Sequence, residues 1–317
     1  MNLSIITSFI FTAIRVATPL IYGALAVCIT KQAGLLNMAT ESMMLSGALC
    51  GVLASGYTQS LVLGVLGGMV GGILIGLLIS YAAFVCKTDL WMTCIAVNTA
   101  LVGGTILVMY MITGQKTNTL GYIPSLVMPA VEIPLIKDIP VIGPILSGHN
   151  LFTYLSLVLL AAEWFLLYRT KIGLRIRAVG QNPQAAESVG IAPRKLYFIS
   201  FIFSGIFASL GGMFMSMGYL QWFARDMMAG RGHIAMSAAT IAGGNPVTAF
   251  LVAIIFGFSD ATANYLQLTT IPAEFSYMFP YITTIIILVV LMLAKQKKAK
   301  DLRKKQVLEA QRQEEEV

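Results

Sequence analysis

From Leu61 to Cys86 the chain runs without one charged side chain, and from Leu90 to Thr113 it does so again. About twenty residues at 1.5 Å each cover the ~30 Å hydrocarbon core of a bilayer. Inside lipid every backbone N–H and C=O must be satisfied by protein, which leaves helices or a closed barrel. A barrel alternates polarity in segments of about ten residues, whereas these runs are continuous. The composition agrees. Hydrophobic residues make up 57% of the 317 and charged ones 11%, against about 25% charged in soluble proteins. A disordered chain, a disulfide-rich secreted domain and an ordinary soluble fold are excluded. The expected fold is all-α, a polytopic integral membrane protein of about eight or nine transmembrane helices, some broken or re-entrant.

Candidate spans lie at 8–30, 37–56, 61–86, 91–113, 151–169, 197–220, 234–252, 253–270 and 276–294. The pair 234–252 and 253–270 is interrupted by Gly243, Gly244, Asn245 and Pro246 and contains Asp260, so one of the two reads as a half-span or re-entrant segment. Residues 1–294 form the membrane domain, and 295–317 form a charged tail ending in Glu314, Glu315 and Glu316. No basic segment precedes the first span, where the first positive charge is Arg15, so that span reads as retained rather than as a cleaved signal. Gly64, Gly67, Gly68, Gly71, Gly72 and Gly76 recur at the small-residue spacing that lets membrane helices approach closely.

Charge placement gives the orientation. Arg169, Lys171, Arg175, Arg177, Arg194 and Lys195, with eight basic residues in 295–317, hold 14 of the 21 Lys and Arg. Positive charge flanking apolar spans marks the cytoplasmic side, and it argues against a nucleic-acid partner. The expectation is a multi-pass membrane protein, with the loop 171–195 and the C-terminus cytoplasmic and the proline-rich loop 114–149 outside. An outside N-terminus then fits nine spans, or seven with 234–270 re-entrant.

No catalytic constellation is present. The chain lacks a GxxxxGK[ST] loop, a nucleophile elbow and an HExxH pair. Cys28, Cys50, Cys86 and Cys94 form no CxxC, and His149 and His233 lack metal-ligand spacing. No enzyme activity, metal or cofactor is expected on this chain. Function must come from polar side chains set in apolar surroundings: Asn37, Glu41, Asn98, Asp260 and Asn264. Asn37 and Glu41 are four apart, as on one helical face, just after Gly34. A glycine-broken helix with its polar start in a cavity is a recurring transporter device, and 230–246 shows a second such break. These residues are candidates for a solute pathway. Each has a second reading, as a helix–helix hydrogen bond or an interfacial cap.

The cytoplasmic stretch 171–195 is longer than a turn needs. Asn182 suits a helix cap, Pro183 the first helical turn, and Gly190 the end. A short exposed helix over 183–189, carrying Glu187, suits docking of another protein.

The run from Gly173, with Arg177-Ala-Val-Gly180-x-Asn182-Pro183-x-Ala-Ala186-Glu187-x-x-Gly190-Ile, resembles the coupling loop of ABC-importer permeases of the ribose, nucleoside and branched-chain amino acid group. The stretches 34–47 and 230–260 are similar to the corresponding motifs of its nucleoside and simple-sugar branch, and the likeness covers about 10–295. Ser42 stands where that branch has glycine after the acid. The resemblance implies that Arg177, Gly180, Asn182, Pro183, Ala186, Glu187 and Gly190 couple to a cytoplasmic ABC ATPase subunit, which holds the ATP and Mg. It implies a longer sister permease in a heterodimer, an extracellular or periplasmic solute-binding protein, and membrane lipid around the chain. The expected function is translocation of nucleosides or a related small solute. An ion-coupled secondary transporter, or the same ABC role for a simple sugar or vitamin, is the alternative.

Overall fold

The computed structural model describes residues 3–123, 125–132 and 142–266, with single positions between 278 and 293. The expected span 276–294, apart from those positions, and the tail 295–317 lie outside the described residues. The chain divides into a unit of residues 1–262 and a unit of residues 263–317.

The elements of the first unit, in order, are α1 (Leu3–Gln32), α2 (Thr40–Thr58), α3 (Leu61–Phe84), α4 (Leu90–Thr113), β1 (Ala130–Val131), α5 (Ile142–Leu146), β2 (His149–Asn150), α6 (Leu151–Arg169), α7 (Lys171–Gln181), α8 (Pro183–Ser188), α9 (Pro193–Met213), a π-helical turn (Phe214–Tyr219), α10 (Arg231–Ile241) and α11 (Pro246–Leu266), whose last residues belong to the second unit. Among the described residues, six helical stretches are long and apolar enough to cross a membrane: Ile6–Gln32, Leu61–Phe84, Leu90–Thr113, Leu151–Arg169, Pro193–Tyr219 and Pro246–Leu266. β1 and β2 pair antiparallel, Ala130 opposite Asn150, in the long loop before α6.

The expected boundary at 252/253 is not there. Gly243 and Gly244 take left-handed backbone (φ 65 and 79) and end α10 after eleven residues. Pro246 then opens α11, which runs unbroken past 253 because nothing from Val247 to Leu266 interrupts it. The first of the two expected spans is therefore a half-helix and the second a full one.

The centre is α1, α2, α3 and α9, of which α1, α2 and α9 are buried along most of their length. Lipid gives helices no hydrophobic reason to associate, so close packing carries the contact. Glycines permit it where α3 crosses α9: a Cβ on Gly72 would strike the Gly205 carbonyl, and one on Gly205 would strike Gly72 in return. Gly103 and Gly104 on α4 face open space. Overpacking a tight contact costs about 1–3 kcal/mol. Gly72→Val should therefore lower the melting temperature of the purified protein in detergent, whereas Gly104→Ala should leave it nearly unchanged. Equal melting temperatures would show that the crossing tolerates bulk.

Candidate functional site

After α1 ends at Gln32, the chain does not turn straight into α2. Gly34 takes φ 82, residues 35–39 run without helix, and α2 begins at Thr40. Asn37 is therefore not on a helical face with Glu41, as its spacing suggests. Its side chain instead takes over the backbone: Oδ1 accepts from the Ala39 N–H at 2.9 Å, while Nδ2 donates to Ser204 Oγ on α9 at 2.9 Å. Asn37 is fully buried.

The depth of this break follows from α1. A Cβ on Gly23 would touch Ala235 of α10 and lie 3.6 Å from Thr40. Gly23 is nine residues before Gln32, so the start of α2 lies about 14 Å in from the end of α1 at 1.5 Å per residue. That is close to half of a ~30 Å apolar core. α10 starts at the same depth and runs back to the end of α1, where Gln32 Nε2 donates to the Gly244 carbonyl at 2.8 Å. Two helix N-termini thus meet in the interior of the bundle.

A helix start leaves N–H groups unpaired, and inside an apolar bundle the partners must come from protein. Ala39 and Gly230, the N-caps of α2 and α10, offer no side-chain cap. Other helices supply the acceptors. Glu41 Oε1 accepts from the Gly230 N–H at 2.7 Å and Oε2 from the Gly232 N–H at 2.9 Å. Asn98 on α4 accepts from the Ser42 N–H at 3.1 Å and donates to the Met38 carbonyl at 2.8 Å. Gly232 is needed for this approach, since a Cβ there would lie 2.6 Å from the Glu41 backbone. The carboxylate also sits at the positive end of the α10 dipole.

Beside this junction lies a cavity of about 380 Å³ lined by Glu41, Ser42, Leu45, Asn98, Thr99, Val102, Asp226, Gly230 and His233. The structure brings Glu41 and Asn98 to this cavity and puts Asn37 behind it. Asp260 stands apart, with its carboxylate 3.7 Å from the Arg231 guanidinium. Asn264 is exposed near the end of α11. Asp226 escapes the sequence reading because 220–229 mixes polar and apolar residues, and His233, inside the glycine-broken stretch 230–246, is read there only as lacking metal-ligand spacing.

A second cavity, about 250 Å³, lies at the opposite end of the bundle from α7 and α8, between Phe11, Arg15, Met128, His149 and Gly218. Arg15 lies over the Tyr219 ring, 4.8 Å from its centroid. His149 stacks on Phe11 and is held below the usual imidazole range, chiefly by burial and also by nearby Arg15, against the opposing effect of its bond to the Ile145 carbonyl.

α7 and α8 project from the end where α1 stops. Asn182 caps α8 by accepting from the Ala185 N–H at 3.0 Å, Pro183 opens the helix, and Gly190 at φ 81 comes after it. Glu187 is exposed, and Ala186 alone in α8 is buried, in a cluster with Ala33, Ile176, Val179 and Leu196. Arg177 lies over Tyr168, 4.8 Å from its ring centroid. Gly180 abuts the backbone of Gln32, Ala33 and Gly34. The exposed helix is thus packed directly against the segment that leads to Asn37 and Glu41.

Residues 9–288 match the family model described as branched-chain amino acid transport system / permease component. The chain belongs to that family. The guanosine ABC transporter permease protein NupQ of Bacillus subtilis is 32% identical over 283 residues, spanning 86% of this chain and 88% of that one. The nucleoside ABC transporter permease protein NupC of Lactococcus lactis is 29% identical over 86% of this chain and 88% of its own. The glucose ABC transporter permease protein TsgB13 of Haloferax volcanii is 24% identical over 76% of this chain and 65% of that one. The chain is an ABC-transporter permease subunit that crosses the membrane several times.

Glu41→Gln tests the junction. An amide offers one acceptor oxygen to two N–H donors, so the change should destabilise by about 1–3 kcal/mol. It should be seen as a lowered melting temperature in detergent. An unchanged value would mean that the two hydrogen bonds contribute nothing to holding the broken helices together.

Proposed function

We propose that this chain is one half of the membrane channel of an ATP-driven importer, and that its solute is a nucleoside. The cavity at the meeting point of two broken helices carries the proposal. Its volume falls within the ~300–1,000 Å³ common to small-molecule sites. Its walls set hydrogen-bonding groups among apolar side chains such as Leu45 and Val102, at about mid-depth, the position that broken-helix transporters use for solute. Thr99 faces outward from this chain, so the cavity is open on one side, where a sister permease would close it. The likeness to guanosine and nucleoside permeases supports the choice of solute.

In this reading α7 and α8 face the cytoplasm, and Arg177, Gly180, Asn182, Pro183, Ala186, Glu187 and Gly190 form or support the surface that meets an ABC ATPase subunit. ATP and Mg belong to that partner. Closure of the ATPases displaces α8. Gly180 passes the displacement to Gly34, and the segment 34–39 passes it to the cavity through Asn37 and Glu41. Membrane permease chains of this kind receive solute from a binding protein on the outer side. Asp260 supports this path in the scheme through its contact with Arg231, next to Gly230 of the lining.

Uptake of labelled guanosine into cells with and without the chain tests the proposal. Uptake should require the chain, be blocked by excess unlabelled adenosine, and stop when ATP is depleted with the ion gradient intact. Uptake that survives deletion would move the solute to a sugar or vitamin. Uptake that needs the chain but survives ATP depletion would contradict an ATP-driven importer.

A further inference from the structure

The cavity holds several polar groups, but most are already committed. Both Glu41 oxygens accept from Gly230 and Gly232, and Asn98 donates to the Met38 carbonyl and accepts from the Ser42 N–H. The Ser42 hydroxyl donates to the Ala39 carbonyl at 2.7 Å and the Thr99 hydroxyl to the Ile95 carbonyl at 3.1 Å. Two groups remain. The Asp226 carboxylate and the His233 ring both line the cavity, both are exposed, and neither makes a hydrogen bond or ion pair with a described residue.

Asp226 is also held in an uncommon backbone state. Its φ is 51, in the left-handed region that aspartate tolerates better than most residues. Its carbonyl accepts from the Ala229 N–H at 3.1 Å, and the preceding Arg225 N–H donates to the Thr117 carbonyl at 2.8 Å. Such conformations persist where the surroundings fix them and cluster at ligand-binding sites. The charge of the lining points the same way. It contains two acids and no Lys or Arg. The adjacent Arg231 lies against Asp260 instead. The α10 N-terminus, which would attract a phosphate, is already filled by Glu41.

We propose that Asp226 and His233 are the side chains of this cavity that read the solute, that Asp226 accepts from the paired N1–H and 2-amino donors of a guanine base, and that the cavity refuses phosphorylated forms. The proposal rests on the nucleoside-importer reading. A carboxylate has two oxygens that can accept two parallel donors. The His233 ring then donates to the purine carbonyl. A phosphate at this site would face two carboxylates with no cation in the lining, so like charges oppose it.

The test is the maximal uptake rate of guanosine and of inosine, which lacks only the 2-amino group, in right-side-out vesicles carrying the assembled transporter and supplied with ATP. For Asp226→Asn the guanosine rate should fall roughly tenfold, as loss of a charged hydrogen bond implies, while the inosine rate falls much less. For His233→Ala both rates should fall together, since both bases carry the carbonyl. Excess GMP should leave wild-type guanosine uptake intact. Chain content of each vesicle batch, measured by immunoblot, separates rate from abundance. An unchanged guanosine-to-inosine ratio in Asp226→Asn, wild-type rates in His233→Ala, or GMP competing as well as guanosine would overturn the proposal alone. A wild-type transporter that moves neither nucleoside would overturn the nucleoside reading and this proposal with it.

Discussion

A helix that starts inside an apolar bundle must have its first N–H groups met by protein. Everything distinctive in this chain depends on how that demand is satisfied at one depth for two helices. Glu41 takes the N–H groups of Gly230 and Gly232, Asn98 takes that of Ser42, and Asn37 takes that of Ala39. Three polar side chains that look out of place in apolar sequence thereby pair the backbone N–H groups at the starts of α2 and α10. Hydrogen bonds to a charged group contribute about 1.5–3 kcal/mol each, and burying such a group without partners costs at least as much. The carboxylate and the half-helix therefore stabilise each other, and neither arrangement would persist without its counterpart.

In the proposed scheme the same junction carries a signal from one end of the bundle to the centre. Gly180 lies near the end of α7, after its basic residues, and rests against Gly34 with no side chain between the two backbones. Ala186 anchors α8 in the cluster that also contains Ala33. From Gly34 to Asn37 the path is three residues of non-helical chain, tied to the last turn of α1 by the Gly34 and Leu35 N–H groups, which donate to the Lys31 and Thr30 carbonyls at 3.0 and 2.9 Å. Polar groups thus do two jobs in the cavity: Glu41, Asn98 and Asn37 hold its walls, and Asp226 and His233 face its interior.

Much of this was legible in the sequence. Long uncharged runs determined the class of fold, because few other structures satisfy backbone groups in lipid. Asn182, Pro183 and Gly190 marked α8 by cap chemistry that depends only on local backbone. Asn37, Glu41 and Asn98 stood out as polar residues in apolar stretches. Their partners did not, since Glu41 binds amides about 190 positions away and a backbone N–H leaves no trace in residue identity. Spacing alone puts Asn37 on a helical face with Glu41, because it cannot reveal that the Asn37 side chain itself bonds the backbone ahead of the helix start. The break at Gly243 to Pro246 was visible, but the split at 252/253 was not real, because apolar content alone cannot locate a boundary within a continuous run. Asp226 is invisible for the opposite reason: a polar residue in a mixed segment carries no contrast.

In the proposed scheme solute passes through the cavity beside the Glu41 junction. Thr99 lines that cavity without any role in holding the broken helices. The direct measurement is the rate at which a small polar maleimide modifies Thr99→Cys in the assembled transporter, with and without saturating guanosine, using the native exposed Cys86 just beyond the end of α3 as internal reference. Guanosine should slow modification at residue 99 and leave Cys86 unaffected. An unchanged rate at residue 99, in a transporter still moving guanosine, would place the path elsewhere.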